Sequence, residues 1–455
     1  MATALRFVLG GLILCGFVGS LRAEPIPPRK PNVIFILADD LGYGDLGSFG
    51  QKQILTPNLD KLAAGGLRFT DCYAGSTVCA PSRCALMTGK HTGHGTIRGN
   101  TANAALSPVD VTVAQLFKQA GYATALIGKW GLGEAGSPGI PNRKGFDQFY
   151  GYLNQVHAHN YYPTFLWRNE TKEKLRNVVP HEKPSGAGVA SRKVDYSDDL
   201  FADEAIRYLD AHKDAPFFLY LPFTIPHANN EGNKNGLEVP DLGSYAAKDW
   251  PDNAKHYAAM VTRLDGYVGR IVERLDQLNL TDNTIIIFTS DNGPHHEGGY
   301  DPGFLHSAGP LRGIKRDLYE GGIRIPMIVR WPSFIKPGVT AQPAAFWDFL
   351  PTAAALLGQS LPEGIDGVSL LPIWLGEKHE LPDRFLYWEF TEGKIDGQAV
   401  RWGKWKYVRP AKNAAWELFD LSTDLGETKN LAAKHPEIVE KMQEYLKTAR
   451  TEPKM

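Results

Sequence analysis

Asn32-Val-Ile-Phe-Ile-Leu-Ala38-Asp39-Asp40 is the stretch on which the fold turns. A strand with one wet face alternates apolar and polar residues, whereas this run stays apolar and β-branched without a break, as a strand buried on both faces must. It stops abruptly at two carboxylates. Further runs of the same texture occur at 122–127, 217–221, 284–290 and 326–330, separated by helical patterns. Tyr257, Val261, Leu264, Val268, Ile271, Leu275 and Leu278 recur at helical spacing and predict one long amphipathic helix leading into the run at Thr284. The alternation predicts an α/β fold, a large mixed, mostly parallel sheet sandwiched by helices.

The texture changes after Asp366-Gly-Val-Ser-Leu-Leu-Pro372. Short strand-like pieces at 385–390, 398–402 and 405–408 and a helical stretch at 436–447 predict a smaller C-terminal α+β subdomain. The expected division is a signal peptide over 1–23, a main domain over 24–375 and the subdomain over 376–455. The stretches 151–195 and 228–252 lack a clear period and read as long loops on the rim of a site.

The chain has 455 residues, 43% hydrophobic and 22% charged, with a formal net charge of -1. This excludes disorder as the main theme and leaves no broad basic footprint for nucleic acid, so an anionic ligand must be held by a local cluster of cations. Met1 to Ala23 has the charged start, apolar centre and small-residue end of an export signal, too short for a comfortable span, so stable membrane insertion is not expected after cleavage. Cys72, Cys79 and Cys84 would remain, too few for a disulfide framework. Cys72 and Cys84 read as buried small hydrophobes; Cys79 lies in a polar setting.

Ligands of open parallel sheets bind beyond the carboxyl ends of strands. Asp39-Asp40 and Asp291-Asn292-Gly293 both follow apolar runs, and together would suit a hard cation such as calcium or magnesium; singly, each also reads as a turn. Lys129 follows the run at 122–127, His227 the run at 217–221, and Lys315 lies in Arg312-Gly-Ile-Lys315; the three occupy loops that could converge on one edge and balance a tetrahedral anion, while singly each also reads as a solvated lysine or a capping histidine. Cys79-Ala-Pro-Ser-Arg83 stands at a predicted helix start, where free amides favour anions. A thiolate stabilised by Arg83 and a structural cysteine are both open readings.

Over nearly the whole mature chain the sequence resembles the formylglycine-dependent sulfatases of the alkaline phosphatase superfamily. Cys79-Ala-Pro-Ser-Arg83, continuing through Leu86, Thr88, Gly89 and Lys90, matches the first signature, and Gly121 to Trp130 the second. Ile225-Pro226-His227, Asp291-Asn292-Gly293, Lys315 and Asp366-Gly-Val-Ser-Leu370 fall where similar proteins have them. The resemblance implies an alkaline phosphatase-like fold and a sulfuric ester hydrolase, in which a separate maturation enzyme oxidises Cys79 to formylglycine. The hydrated aldehyde would attack sulfur with one hydroxyl and expel sulfate by deprotonation of the other. Asp39, Asp40, Asp291 and Asn292, with an oxygen on modified Cys79, would hold calcium, with magnesium as the other choice. Arg83 would steady the nucleophile, and Lys129, His227 and Lys315 would hold sulfate, with His227 or Lys315 protonating the leaving oxygen. Many similar sulfatases have histidine where this chain has Gly131, and that imidazole ejects sulfate; His157 is the leading substitute, and His295 a substrate contact at the site edge.

Two other readings compete: a phosphate or phosphonate monoester hydrolase of the same superfamily, and a non-catalytic binding protein on the same fold. Tyr161, Tyr162, Trp167 and Trp250 would suit stacking on sugar rings, which favours a sulfated carbohydrate over an aryl sulfate.

Overall fold

A computed structural model describes residue 1 and residues 30–101, 104–377, 381–393 and 395–452. The expected signal peptide lies outside the described residues. Asn32–Ala38 is a strand buried along its whole length. Val33, Phe35 and Leu37 pack on one side with Phe117 and Phe349, while Ile34, Ile36 and Ala38 pack on the other with Phe201, Val261 and Leu264. Its neighbours in register are Phe217–Pro222 and Thr284–Ser290, both parallel. Ala123–Lys129 and Gln148–Tyr152 extend the sheet in parallel on one side. Arg324–Arg330 continues it on the other, antiparallel to Thr284–Ser290 and to Leu67–Tyr73. The sheet has eleven strands among the described residues.

The long helix, Asp252–Gln277, covers one face together with Ser197–His212 and Pro57–Ala64. Cys79–Thr88, Val113–Gln119 and Phe349–Leu357 cover the other. Within the expected loop 151–195 the chain instead forms a two-stranded ribbon, Phe165–Arg168 with Thr171–Lys174, that adds an antiparallel edge to the large sheet. Its alternation is short and interrupted by charges, so no period shows in the sequence.

A second, four-stranded antiparallel sheet follows: Phe385–Glu392, Ile395–Trp402, Trp405–Arg409 and Glu417–Asp420. Trp388, Ala399, Val408 and Phe419 face the large domain at Tyr73, Val78 and Trp347. Tyr387, Val400 and Leu418 face Met442 of the helix Pro436–Leu446. The seam also carries buried charge. Glu320 accepts from Tyr73 Oη at 2.6 Å and pairs with Lys406 at 2.9 Å and Arg324 at 3.1 Å, and Arg401 pairs with Asp71 at 2.8 Å.

Candidate functional site

The register of the two central strands sets Ala38 beside Ser290, so the residues that follow them emerge together. The amide of Asp40 donates to Asp291 Oδ1 at 3.1 Å, and Asn292 Nδ2 donates to Asp40 Oδ1 at 2.6 Å. Asp39, Asp40, Asp291 and Asn292 are all fully buried. Lys129 ends its strand with Nζ 2.5 Å from Asp39 Oδ2.

Cys79 is the first residue of its helix, as its sequence setting predicts, and its Sγ lies 3.4 Å from Asp39 Oδ1. One turn on, Arg83 donates from Nε (3.0 Å) and Nη2 (2.8 Å) to Asp291 Oδ2 and from Nη1 (2.7 Å) to the carbonyl of Lys129. Arg83 is therefore spent on the carboxylate and the strand end. Burial, reinforced by the Asp39 charge, pushes the Cys79 thiol far up. With Arg83 engaged elsewhere, both effects count against the reading of an arginine-stabilised thiolate.

His227 follows the Phe217–Pro222 strand and lies 2.6 Å from the Ala228 carbonyl through Nδ1, which fixes the proton on that nitrogen. Nε2 is left as acceptor for Lys315 Nζ at 3.1 Å. Burial and the Lys315 charge push the imidazole down to about 3, so it is neutral. Lys315 also reaches Asp40 Oδ2 at 2.8 Å and Glu297 Oε2 at 3.1 Å. Against burial, Asp40 holds the ammonium above its ordinary value.

Burial works to raise the aspartates. At Asp39 it is outweighed, chiefly by Lys129, and at Asp40 by Lys315, so both stay below the usual carboxylate range. At Asp291 burial and the neighbouring Asp39 charge prevail and push the carboxyl up despite Arg83. Three crowded carboxylates, and a buried Asn292 Oδ1 with no hydrogen-bond partner, form an all-oxygen set with room for more positive charge. Two of these carboxylates, Asp39 and Asp40, also come within 4.8 Å of Cys79 Sγ and a His227 ring nitrogen, while the oxygen donors alone are those of Asp39, Asp40, Asp291 and Asn292. This donor set fits a hard divalent cation.

Cys79, His227, Glu297 and Lys315 line a cavity of about 670 Å³, whose outer walls include Gly131, Glu134, Gln155, His159, Trp167, Lys172 and Arg316. Glu297 is a residue that sequence reasoning missed. It bridges Lys315 and Arg316 from an irregular segment with no period or motif to mark it.

Two expected positions fall elsewhere. His157 does not line the cavity; its ring packs against Tyr152 and Phe165, with centroids at 4.8 and 4.5 Å. Burial and Lys172 push it down to about 3. Of this histidine pair it is His159 that enters the cavity wall, stacked on His227 at 5.1 Å and held through Nδ1 by Glu231 at 3.3 Å. His295 is near the cluster but spends both ring nitrogens on the backbone, Nε2 to the Pro226 carbonyl and Nδ1 from the Glu297 amide, each at 3.0 Å. It shapes the turn and has no nitrogen left for substrate. Of the four aromatics, Trp167 alone lines the cavity. Tyr161 and Tyr162 are buried beneath the loops, and Trp250 packs on Tyr245 and Phe304.

The sulfatase family model matches residues 31–359, and the model of the N-sulphoglucosamine sulphohydrolase C-terminal region matches residues 314–452. The chain is 32% identical to an N-acetylgalactosamine-6-O-sulfatase of Bacteroides thetaiotaomicron, covering 93% of this chain and 94% of that one. It is 34% identical to human arylsulfatase A, covering 93% and 89% respectively. Among solved structures it is similar to Ps i-CgsB in complex with k-i-k-neocarrahexaose, with a TM-score of 0.78 at 28% identity over 93% of this chain and 94% of that one. A mostly parallel sheet that gathers buried carboxylates and cations at its strand ends thus coincides with a family match over most of the sequence: the chain belongs to the sulfatase family and hydrolyses sulfate esters of carbohydrates or aryl alcohols.

Proposed function

We propose that Cys79 is the residue a maturation enzyme converts to formylglycine, and that the enzyme removes sulfate from a sulfated carbohydrate. The supporting observation is the position of Cys79: first residue of a buried helix, against Asp39, in a cavity that also exposes Lys315 and His227. Arg83 is engaged with Asp291 and the Lys129 carbonyl and so is not free to stabilise a thiolate, while a hydrated aldehyde at the same carbon supplies an oxygen nucleophile and a way to release the product.

Asp39, Asp40, Asp291 and Asn292 would hold calcium, with magnesium as the lesser fit to a set rich in carboxylates; the ion supplies positive charge that acidifies the nucleophile and neutralises the sulfate. Arg83 keeps Asp291 and the end of the Ala123–Lys129 strand in place around Cys79. Lys315, in the cavity wall, presents its ammonium to the sulfate oxygens, and Lys129, buried behind Asp39, adds positive charge to the site. The neutral His227 holds Lys315 by its Nε2 lone pair, so the transferable proton sits on the Lys315 ammonium, from which the leaving alcohol oxygen takes it.

The carbohydrate reading draws on the cavity's size, on Trp167 in its wall, and on the sugars named for the Bacteroides relative and in the Ps i-CgsB complex. Residues 24–375 are taken as the catalytic part and 376–455 as the supporting subdomain. Export rests on the pattern of Met1 to Ala23; no helix among the described residues is long and apolar enough to cross a membrane.

Mass spectrometry of the tryptic peptide containing Cys79, from active enzyme made in its native host, tests the proposal. An aldehyde or its hydrate is expected. An unmodified thiol in fully active protein would overturn the formylglycine route, and turnover confined to phosphate esters would overturn the sulfatase assignment of this site.

A further inference from the structure

The ribbon of Phe165–Arg168 and Thr171–Lys174 pairs Trp167 directly with Lys172. Residues two apart in a strand share a face, so Phe165 joins Trp167 and Lys172 on one side of the ribbon. All three line the cavity that contains Cys79. Lys172 Nζ stands 4.1 Å from the centre of the Phe165 ring and 5.4 Å from that of Trp167. Phe165 meets Trp167 edge-on at 5.9 Å. The Phe165 face thus seats the ammonium by a cation–π contact, and Trp167 presents a partly exposed ring beside it.

The other lysine and arginine side chains of the cavity wall are already paired. Lys315 lies between Asp40 and Glu297, and Arg316 between Glu297 and Glu392. The Glu134 carboxylate across the cavity accepts from Asn154 at 3.1 Å. Lys172 is exposed and forms no ion pair among the described residues. It is a positive charge held over an aromatic ring, facing the same space as the sulfate-binding groups but carried by a different edge of the sheet.

We propose that this ribbon is a second subsite, in which Trp167 stacks on the sugar adjoining the sulfated one and Lys172 binds an anionic substituent on that adjoining ring. This rests on the sulfatase reading of the Cys79 site and deepens it. The substrate class it names is a sulfated glycan whose neighbouring ring is itself acidic, through a second sulfate ester or a carboxylate. An aromatic face accepts the C–H face of a pyranose, and an ammonium beside it discriminates rings by charge.

The test compares wild-type enzyme with Lys172→Met, Lys172→Arg and Trp167→Ala on three disaccharides carrying the same sulfated ring. In one the second ring is a hexuronate, in one it bears a second sulfate, and in one it is neutral; a small aryl sulfate normalises the rates. The wild type should favour one or both acidic disaccharides in kcat/KM. Lys172→Met should reduce that preference by about two- to fivefold, the range of a solvent-accessible ion pair. Lys172→Arg should restore it, and Trp167→Ala should weaken all three disaccharides against the aryl sulfate. Which acidic disaccharide responds identifies the substituent.

Equal treatment of acidic and neutral disaccharides by the wild type, or a Lys172→Met preference equal to wild type, overturns the inference while leaving the sulfatase reading intact. Calorimetric titration of the unconverted Cys79 protein with the same disaccharides gives a readout independent of turnover. Loss of the acidic preference in Lys172→Met binding supports the subsite even if sulfate release fails, and no preference in the wild type overturns it.

Discussion

The side-chain amide of Gln155 occupies the space in which a side chain on Gly131 would begin: a Cβ built on Gly131 would lie 2.1 Å from Gln155 Nε2. Gly131 also has a φ of +78°, in the left-handed region. Two separate penalties therefore meet any larger residue, one steric and one conformational. Gly131→Ala should lower unfolding stability by about 1–2 kcal/mol from the backbone, with only a small further loss because the clashing atoms are the end of the flexible Gln155 side chain. Adding Gln155→Ala should recover the steric share and not the backbone share. Urea denaturation of the two single variants and the double variant reads this out, and strictly additive effects would refute the coupling.

Arg83 is completely buried and is the guanidinium partner of Asp291. Arg83→Leu leaves that carboxylate without its bidentate partner and should cost about 3–5 kcal/mol, together with sulfatase turnover. Arg83→Lys keeps a charge but cannot span Asp291 and the Lys129 carbonyl at once, so its stability should fall between leucine and wild type. Chemical denaturation and turnover of an aryl sulfate, measured on the same preparations, check both.

Dialysis against a calcium-selective chelator should lower both turnover and the melting temperature, and added calcium should restore them. At a hundredfold excess over its Kd the ion should contribute about 2.7 kcal/mol by mass action. Asn292→Ala removes one oxygen and should shift restoration to higher calcium concentrations. Metal content by elemental analysis, alongside the melts, separates loss of the ion from loss of fold. A chelated protein with unchanged melting and full activity would contradict the assigned ligands.

Asp45 offers a pH signature away from the reacting groups. It is fully buried, accepts from Tyr257 Oη at 2.6 Å and the Gly42 amide at 2.7 Å, and leaves Oδ1 without a partner. Burial pushes its carboxyl up to about 7 from an ordinary value of 3.8. The folded state therefore holds a proton that the unfolded state releases at lower pH, so its contribution is greatest below pH 3.8 and is lost as pH rises toward 7. Asp45→Asn removes this slope, and the variant should gain stability relative to wild type as pH rises from 4 to 8. Parallel denaturant titrations across that range test the sign.

The central strands were legible because residues 32–38 and 284–290 are apolar throughout, which leaves few alternatives to a strand covered on both faces. Asp39, Asp40, Asp291, Lys129 and His227 were marked by their position just past such runs, but each alone reads equally as a turn or a surface charge; Lys315 and the roles of all six came from the resemblance to the sulfatases. What local patterning cannot show is which way an irregular segment turns its side chains. His157 and His159 sit in one short turn, yet one ring enters a packed aromatic nest and the other the cavity. Glu297 is placed by a long-range contact with Lys315, and no spacing rule anticipates it. The ribbon at 165–174 was hidden for a related reason: its strands have four residues each and gain their order by joining an existing sheet edge.

The seam between the two sheets ties the C-terminal sheet to the loop that leads to Cys79. Trp388 Nε1 donates to the Ala74 carbonyl at 2.9 Å, five residues before Cys79, and Trp388 stacks obliquely on Tyr73 and Trp347. Lys406 and Arg401 supply charge to Glu320 and Asp71 in a dry interface. Truncation before Phe385 would bare an apolar wall and leave Glu320 and Asp71 to share Arg324 as their one remaining cation among the described residues, at the base of the loop that leads to Cys79. The tail is a buttress for the loop that carries Cys79: the two sheets should melt together, and damage in the second sheet should register as a displaced Cys79 rather than as a lost appendage.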